Sequence, residues 1–324
     1  MMISANPLPG AKFPVTQKTV PTLPALPAPP SYSDKGMTPF TGASKTPAGA
    51  PTGYSNPGNL DDFIQQFVVK GLNRAFGLKG NDTIEQEVKE EGDNEAIAGE
   101  GDDTVIQKSA GGNNITWGED GNDFIRQMGN WVRNLGIGGT GNDRIQQFGD
   151  YNINAAWGEK GQDSIVQRGN FNVNVVRAGE DEDLVSVMGN DNLLDVDGGE
   201  GDDLVVVQGT GNRGTVYGGE GNDVIAVSGN NNRMTIEGSE GHNTLILSGQ
   251  ASHWSRITLL GGGPAITFNA ESGEIYRLNN IQQVEYAQFS TGAGPAAPPA
   301  IQAEDKHEEK AEDKKPLPDA PAKA

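Results

Sequence analysis

The chain has 324 residues, of which 34% are hydrophobic, 46 are Gly and none is Cys, and its formal net charge is −20. So little apolar material with so much Gly excludes an ordinary layered core and points to a repeat architecture, while the missing cysteines exclude a disulfide framework and thiolate chemistry. The acidic balance makes nucleic acid and anionic membrane poor partners and multivalent cations good ones.

Residues 1–57 carry twelve of the nineteen prolines among Thr, Ala and Ser and show no apolar periodicity, so this segment is expected to be disordered. Its start, MMISANPLPGAKFPVTQ, lacks the basic and apolar stretches of a secretory signal, and no run approaches a membrane-spanning length. No membrane insertion is expected, and export would proceed without a cleavable signal peptide. After Pro57 the next proline is Pro264, and the 206 residues between them, rich in Gly and Asn, suit stacked strands joined by tight turns. Proline within such a ladder would remove a hydrogen bond.

Within this interval Asp recurs at 62, 82, 103, 123, 143, 163, 183, 203 and 223, with Asn243 at the next step. The period is 20 with one step of 21, the extra residue falling within 87–96, and self-similarity at this spacing means a solenoid. With each Asp as position zero, position +2 is always a large aliphatic, from Ile64 to Leu245. Position +4 has the same strand parity and also points inward; it reads Gln66, Gln86, Gln107, Gln127, Gln147 and Gln167, then Val187, Val207, Val227 and Leu247. A buried Gln is tolerable when stacked amides bond one another up the column. A Gly turn at +6 leads to a second strand, with Asn152, Asn172, Asn192, Asn212 and Asn232 at +9 expected to form a column of side-chain amides. Ala156, Val176, Val196, Val216 and Ile236 at +13 supply further core. Residues 58–250 are therefore expected to form about ten coils of two short strands and two turns, one turn bearing Asp and the other Asn.

Each repeated Asp from 82 to 223 ends a glycine-rich hexapeptide: GLKGND, AGEGDD, GEDGND, GGTGND, GEKGQD, AGEDED, GGEGDD and GGEGND. With the aliphatic two positions on, these loops resemble the G-G-x-G-x-D-x-U-x nonapeptide of hemolysin-type (RTX) calcium-binding repeats. The resemblance implies an all-β, right-handed parallel β-roll or β-helix solenoid. It further implies Ca2+ held between stacked loops by Asp carboxylates and backbone carbonyls. Carried onto this chain, the candidate metal residues are Asp82, Asp103, Asp123, Asp143, Asp163, Asp183, Asp203 and Asp223, with the glycines of the three fully matching loops, Gly139, Gly141, Gly199, Gly201, Gly219 and Gly221. Only alternate half-coils carry the motif, so one row of sites is expected rather than two. Carboxylates stacked about 4.8 Å apart would repel by roughly 3.5 kcal/mol per neighbouring pair at an effective dielectric near 20, which inserted hard divalent cations would reverse. The competing reading is that Asp simply closes a Gly-rich turn by bonding its own backbone.

DSIVQRGNFNVNVV, residues 163–176, also resembles the x-Q-x-G-N-x-N cadence of curlin repeats, which implies a self-assembling extracellular fibre subunit indifferent to metal. Residues 251–291 alternate apolar residues without Asp loops, and LNNIQQVEYAQF is similar to the strand that follows many RTX arrays, so this part is expected to cap the last coil. Residues 292–324, rich in Pro, Ala and mixed charge, are expected to be a disordered tail. The three His residues, 242, 253 and 307, form no metal-ligand spacing, and no nucleophile elbow or phosphate loop is present, so no enzyme is expected. Trp117, Trp157 and Trp254 stand beside turns and either line a carbohydrate surface or cap core. The reading as a whole is a non-enzymatic, secreted, calcium-binding β-roll with a structural or adhesive role. Self-association or a cell-surface molecule is the expected partnership beyond calcium ions.

Overall fold

The computed structural model describes residues 61–248, 254–257, 265–269, 271 and 273–287. All belong to the first of two units of the chain, Met1–Gln288; the second, Phe289–Ala324, lies outside the described residues, as does the 1–57 segment.

Every regular element among the described residues is a strand. One parallel sheet contains β1 (Phe63–Val68), β3 (Thr83–Val88), β5 (Thr104–Ser109), β7 (Phe124–Met128), β9 (Arg144–Phe148), β11 (Ser164–Arg168), β13 (Leu184–Met188), β15 (Leu204–Gln208), β17 (Val224–Ser228), β19 (Thr244–Ser248) and β23 (Gln283–Ala287), in that order. The other contains β2 (Gly71–Lys79), β4 (Gly92–Glu100), β6 (Gly112–Asp120), β8 (Val132–Thr140), β10 (Ile153–Lys160), β12 (Val173–Glu180), β14 (Leu193–Glu200), β16 (Arg213–Glu220) and β18 (Arg233–Ser239), and is closed by β22 (Glu274–Asn279), β21 (Ala265–Asn269) and β20 (Trp254–Ile257). The molecule is a parallel β-solenoid in which each strand pairs with the strand one coil on. Phe124 faces Arg144 and Ser164 faces Leu184, a register of 20 that repeats the sequence period.

The extra residue of the 21-residue step lies in the turn Lys89–Glu91, because β1 pairs with β3 at an offset of 20 whereas β2 pairs with β4 at an offset of 21. It lengthens a turn and does not bulge a strand. Nine regular coils, β1–β2 to β17–β18, precede β19. The tenth is irregular: β22 pairs in parallel with β18 only after β20 and β21 have formed an antiparallel ladder at the end of that sheet.

The interior follows strand parity. Ile84, Val105, Ile125, Ile145, Val185, Val205, Ile225 and Leu245 at +2 are fully buried, as are Ala156, Val176, Val196, Val216 and Ile236 from the facing sheet. In the first half the core also holds a polar column. Gln86 Nε2 donates to Gln66 Oε1 at 2.8 Å, and the pattern continues through Gln107, Gln127, Gln147 and Gln167 at 2.8–3.0 Å. Each amide also donates to a carbonyl of the facing strand, as Gln147 does to Ala155 at 2.7 Å, so the ladder ties the two sheets together.

A second ladder faces the first. Asn73, Asn94, Asn114, Asn134, Asn154 and Asn174 bond amide to amide at 2.8–2.9 Å, each Nδ2 donating towards the C-terminal end, whereas the glutamines donate towards the N-terminal end. This corrects the expectation for the asparagines at +9. Those are buried too, but Asn152 Nδ2 donates to the carbonyl of Gly129 at 2.8 Å and its Oδ1 accepts the N–H of Val132 at 3.0 Å. At a turn the open backbone groups are nearer than the next side chain, so the amide serves the backbone. Both ladders stop where Val187 and Leu194 replace Gln and Asn, leaving Gln167 Oε1 and Asn174 Nδ2 buried without partners. Gln147→Ala would break the ladder in mid-run, stranding the Gln127 acceptor and opening a cavity; a loss of about 3–5 kcal/mol is expected, measured as a fall in denaturation midpoint.

Candidate metal centre on the aspartate edge

Each Asp-bearing turn carries the chain from the second sheet back to the first. In the turn 138–143, Gly139 and Gly141 adopt φ of +120° and +124°, and a side chain on either would run into the carbonyl oxygen of Glu119 or Gly121 one coil earlier. These positions need glycine both for the left-handed backbone and for the close stacking of turn upon turn. Gly199, Gly201, Gly219 and Gly221 stand in the same way against the preceding coil. The six candidate glycines thus make the stack possible, and it is the stack that aligns the aspartates.

The aspartates do not lie on an exposed edge. Asp82, Asp103, Asp123, Asp143, Asp163, Asp183, Asp203 and Asp223 are all buried, at most 4% exposed. Each tucks under its turn, and its Oδ1 accepts the backbone N–H of the repeated Asp one coil earlier, as Asp163 Oδ1 does from Asp143 at 2.7 Å and Asp183 Oδ1 from Asp163 at 2.7 Å. The partner is the neighbouring coil, not the residue's own turn, which sets aside the local turn-closing reading. Burial is the main electrostatic consequence. Removal from water pushes the carboxyls up from 3.8 to about 7 at Asp82, Asp103, Asp123, Asp163, Asp183 and Asp203, to about 8 at Asp143 and to about 6 at Asp223. The N–H bond opposes this, and repulsion by nearby carboxylates adds a smaller upward push. Mutual repulsion, which the sequence places first, ranks behind desolvation.

The other carboxylate oxygen is the distinctive one. In all eight residues Oδ2 is buried and has no hydrogen-bond partner. In six of them it lies against the glycine five residues earlier: a methyl at Gly118 would overlap Asp123 Oδ2 and also the carbonyl oxygen of Gly138, the equivalent residue one coil on. Gly158 shows the same convergence of Asp163 Oδ2 with the Ala178 carbonyl, and Gly198 that of Asp203 Oδ2 with the Gly218 carbonyl. At Gly118 the two oxygens lie 2.1 and 2.3 Å from the place a Cβ would take, and the carboxylate oxygen has no donor.

The opposite edge supplies an internal comparison. Asn172 uses Oδ1 as the aspartates do, accepting the N–H of Asn152 at 2.7 Å, but its Nδ2 donates to the Gly149 carbonyl at 2.9 Å. Position zero itself has one such case, Asn243, whose Oδ1 accepts the N–H of Asp223 at 2.8 Å and whose Nδ2 donates to the Glu240 carbonyl at 3.0 Å. Asparagine therefore fits this niche and satisfies it, yet nine coils, from Asp62 to Asp223, carry Asp. The donor set, hard anionic and carbonyl oxygens, suits a cation of the calcium class. No group of three or more His, Cys, Asp or Glu side chains converges among the described residues, so a cation here would rely on carbonyls and on carboxylates from successive coils. At Ala98 and Ala178 a methyl stands where the other coils have glycine, so the niches of Asp103 and Asp183 are the more crowded.

Of the tryptophans, Trp117 is buried on the outer side of the second sheet against Phe76, Ile97 and Ile137, with Trp157 packed beside it, so Trp117 caps apolar surface and offers none to a sugar; the side chain of Trp254 lies outside the described residues. The 20-residue recurrence of Trp131, Tyr151 and Phe171 was a readable signal that composition-led reading passes over. No protein-family model matches the chain, and a search of curated proteins finds no match.

Proposed function

We propose that this chain is a non-enzymatic calcium-binding repeat protein of hemolysin-type (RTX) character, which rigidifies on calcium outside the cell and serves a structural or adhesive role. The observation that carries this reading is the row of eight buried Oδ2 atoms without a donor, in niches that asparagine satisfies elsewhere in the same fold. A row of cations would be held by Asp82, Asp103, Asp123, Asp143, Asp163, Asp183, Asp203 and Asp223 with carbonyls of the adjoining turns. Calcium would supply the positive charge that makes burial of ionised carboxylates favourable. Because the niche exists only when turns stack, binding would be coupled to folding. Thermal melting followed by circular dichroism in millimolar calcium and in chelator tests this: a clear rise in midpoint with calcium is expected, and identical curves would sink it.

Individual niches can be probed as well. Gly138→Ala installs the residue found naturally at 98 and 178; it is expected to remove about one bound ion per chain while costing about 1–2 kcal/mol in chelator. Calcium stoichiometry by equilibrium dialysis would show the loss, and an unchanged count would place the ions elsewhere.

The Gln and Asn ladders favour a second reading, a curlin-like fibre subunit stabilised by its own amides. It expects seeded fibres that form equally in chelator. A monomer persisting at high concentration would count against it.

A further inference from the structure

The turn edge opposite the aspartates carries a feature that calcium does not use. Trp131, Tyr151 and Phe171 occupy equivalent positions in successive coils, with φ of 61°, 60° and 58°. The same column continues with Asp191, Gly211 and Asn231 at φ of 54°, 77° and 57°, residue types that tolerate the left-handed region far better than an aromatic does. The three rings are 70%, 44% and 51% exposed, so burial does not offset the strain. They stack on one another, Trp131 on Tyr151 at 4.2 Å and 3°, Tyr151 on Phe171 at 5.0 Å and 8°. Stacking fixes their orientation but leaves a strained apolar stripe in water, the combination expected of a surface shaped for a ligand.

The surroundings define the ligand's chemistry. One indole face of Trp131 lies on Tyr151, and on the other side the register neighbour is Gly111, which has no side chain to cover it. Arg168, at the end of the strand entering the edge, and Arg133, at the start of the strand leaving it, are exposed. Neither has a carboxylate partner among the described residues, a condition they share with Arg126, Arg144, Arg213 and Arg233. Asp150, the carboxylate beside Tyr151, accepts the N–H of Asn170 at 2.7 Å and its Nδ2 at 3.1 Å. In a chain of net charge −20, two guanidiniums without carboxylate partners thus flank the aromatic platform, with Asp150 beside Tyr151 and Asp191 beyond Phe171 as acidic groups of the same edge.

We propose that this edge binds a short carboxylate-bearing carbohydrate, its terminal pyranose on the open face of Trp131 with the acid group on Arg133, and its further acid groups running along the edge towards Arg168 two coils on. Three coils span roughly 10 Å, the reach of two or three sugar rings, whereas a stable protein interface takes a face of roughly 800 Å² per partner. Nucleic acid fits less well, because the rings are stacked against each other and offer bases no slots, and the net charge repels a long polyanion. A guanidinium can grip a carboxylate through two parallel hydrogen bonds.

The test is calorimetric titration of the full chain with trigalacturonate, its methyl ester and a short oligothymidylate, in calcium and in chelator, with sedimentation velocity of the protein alone. Circular dichroism under each condition reports separately whether the fold needs calcium, so failure of the calcium reading is distinguishable from failure here. Trigalacturonate is expected to bind wherever the chain is folded, at least about tenfold more tightly than its ester, and more weakly as salt rises. Trp131→Gly, with Gly211 as its natural counterpart, and Arg133→Gln with Arg168→Gln are each expected to weaken binding about tenfold or more without altering the dichroism spectrum. Equal binding of the ester, preference for the oligonucleotide, Trp131-dependent self-association, or no binding at about 1 mM would overturn the proposal.

Discussion

In chelator, Asp143→Asn is expected to raise the stability of the protein by on the order of 3 kcal/mol near pH 7.5, an increase in midpoint of roughly 5–10 °C. Substitution of a repeated residue in a packed niche ordinarily destabilises. Here the native side chain is the misfit, since its carboxyl is buried and pushed up to about 8, so the folded metal-free chain must either take up a proton or keep a charge out of water. Asparagine keeps the Oδ1 acceptor for the N–H of Asp123 and replaces the orphaned oxygen with a donor, as Asn243 already does against the Glu240 carbonyl. In calcium the sign should reverse, because the variant loses a ligand. A fall in midpoint in both conditions would mean that Asp143 serves packing alone.

The second large effect concerns pH. The repeated aspartates have folded-state pKa values of about 6 to 8 against 3.8 for the free side chain, so the folded chain binds more protons than the unfolded one between roughly pH 4 and pH 8. Stability without metal is therefore lowest above the folded values and rises as the pH falls through them towards the unfolded one. A higher midpoint at pH 5.5 than at pH 8.5, by 10 °C or more as a rough guide for eight coupled groups, is the expected result in chelator. This is opposite to the usual acid lability of carboxylates held as ions by salt bridges. Calcium competes with these protons, so with metal present the slope should flatten or invert and binding should release protons. A midpoint that falls monotonically on acidification in chelator would show that the carboxylates are solvated.

Why some of this was legible in the sequence and some was not follows from the range of each interaction. Ile125 and Gln127 are two apart on one strand, so parity alone puts both inside, and the recurrence of Gln every coil announces a ladder. The burial of Asp143 depends instead on the N–H of Asp123, a partner one coil away that exists only after stacking; within GGTGND nothing distinguishes a carboxylate that folds under the turn from one that faces water. The asparagines at +9 recur every coil three residues after the turn glycine, while the ladder from Asn73 to Asn174 sits two residues further on, and only the register shows which set bonds its own kind. Trp131, Tyr151 and Phe171 are the strongest case. Aromatics carry no signal for a left-handed backbone, so their conformation could be known only from the turn that Gly211 and Asn231 share with them.

The account centres on one row of cation niches on the aspartate edge and none on the asparagine edge. Calcium bound per chain, measured by equilibrium dialysis with a variant in which Asp82, Asp103, Asp123, Asp143, Asp163, Asp183, Asp203 and Asp223 are all Asn as the reference, tests it most directly. The expected stoichiometry is about six, the aspartates backed by glycine, falling to none in a variant that remains folded in chelator. A count near zero in the native chain, or binding that survives in the asparagine variant, would contradict the account.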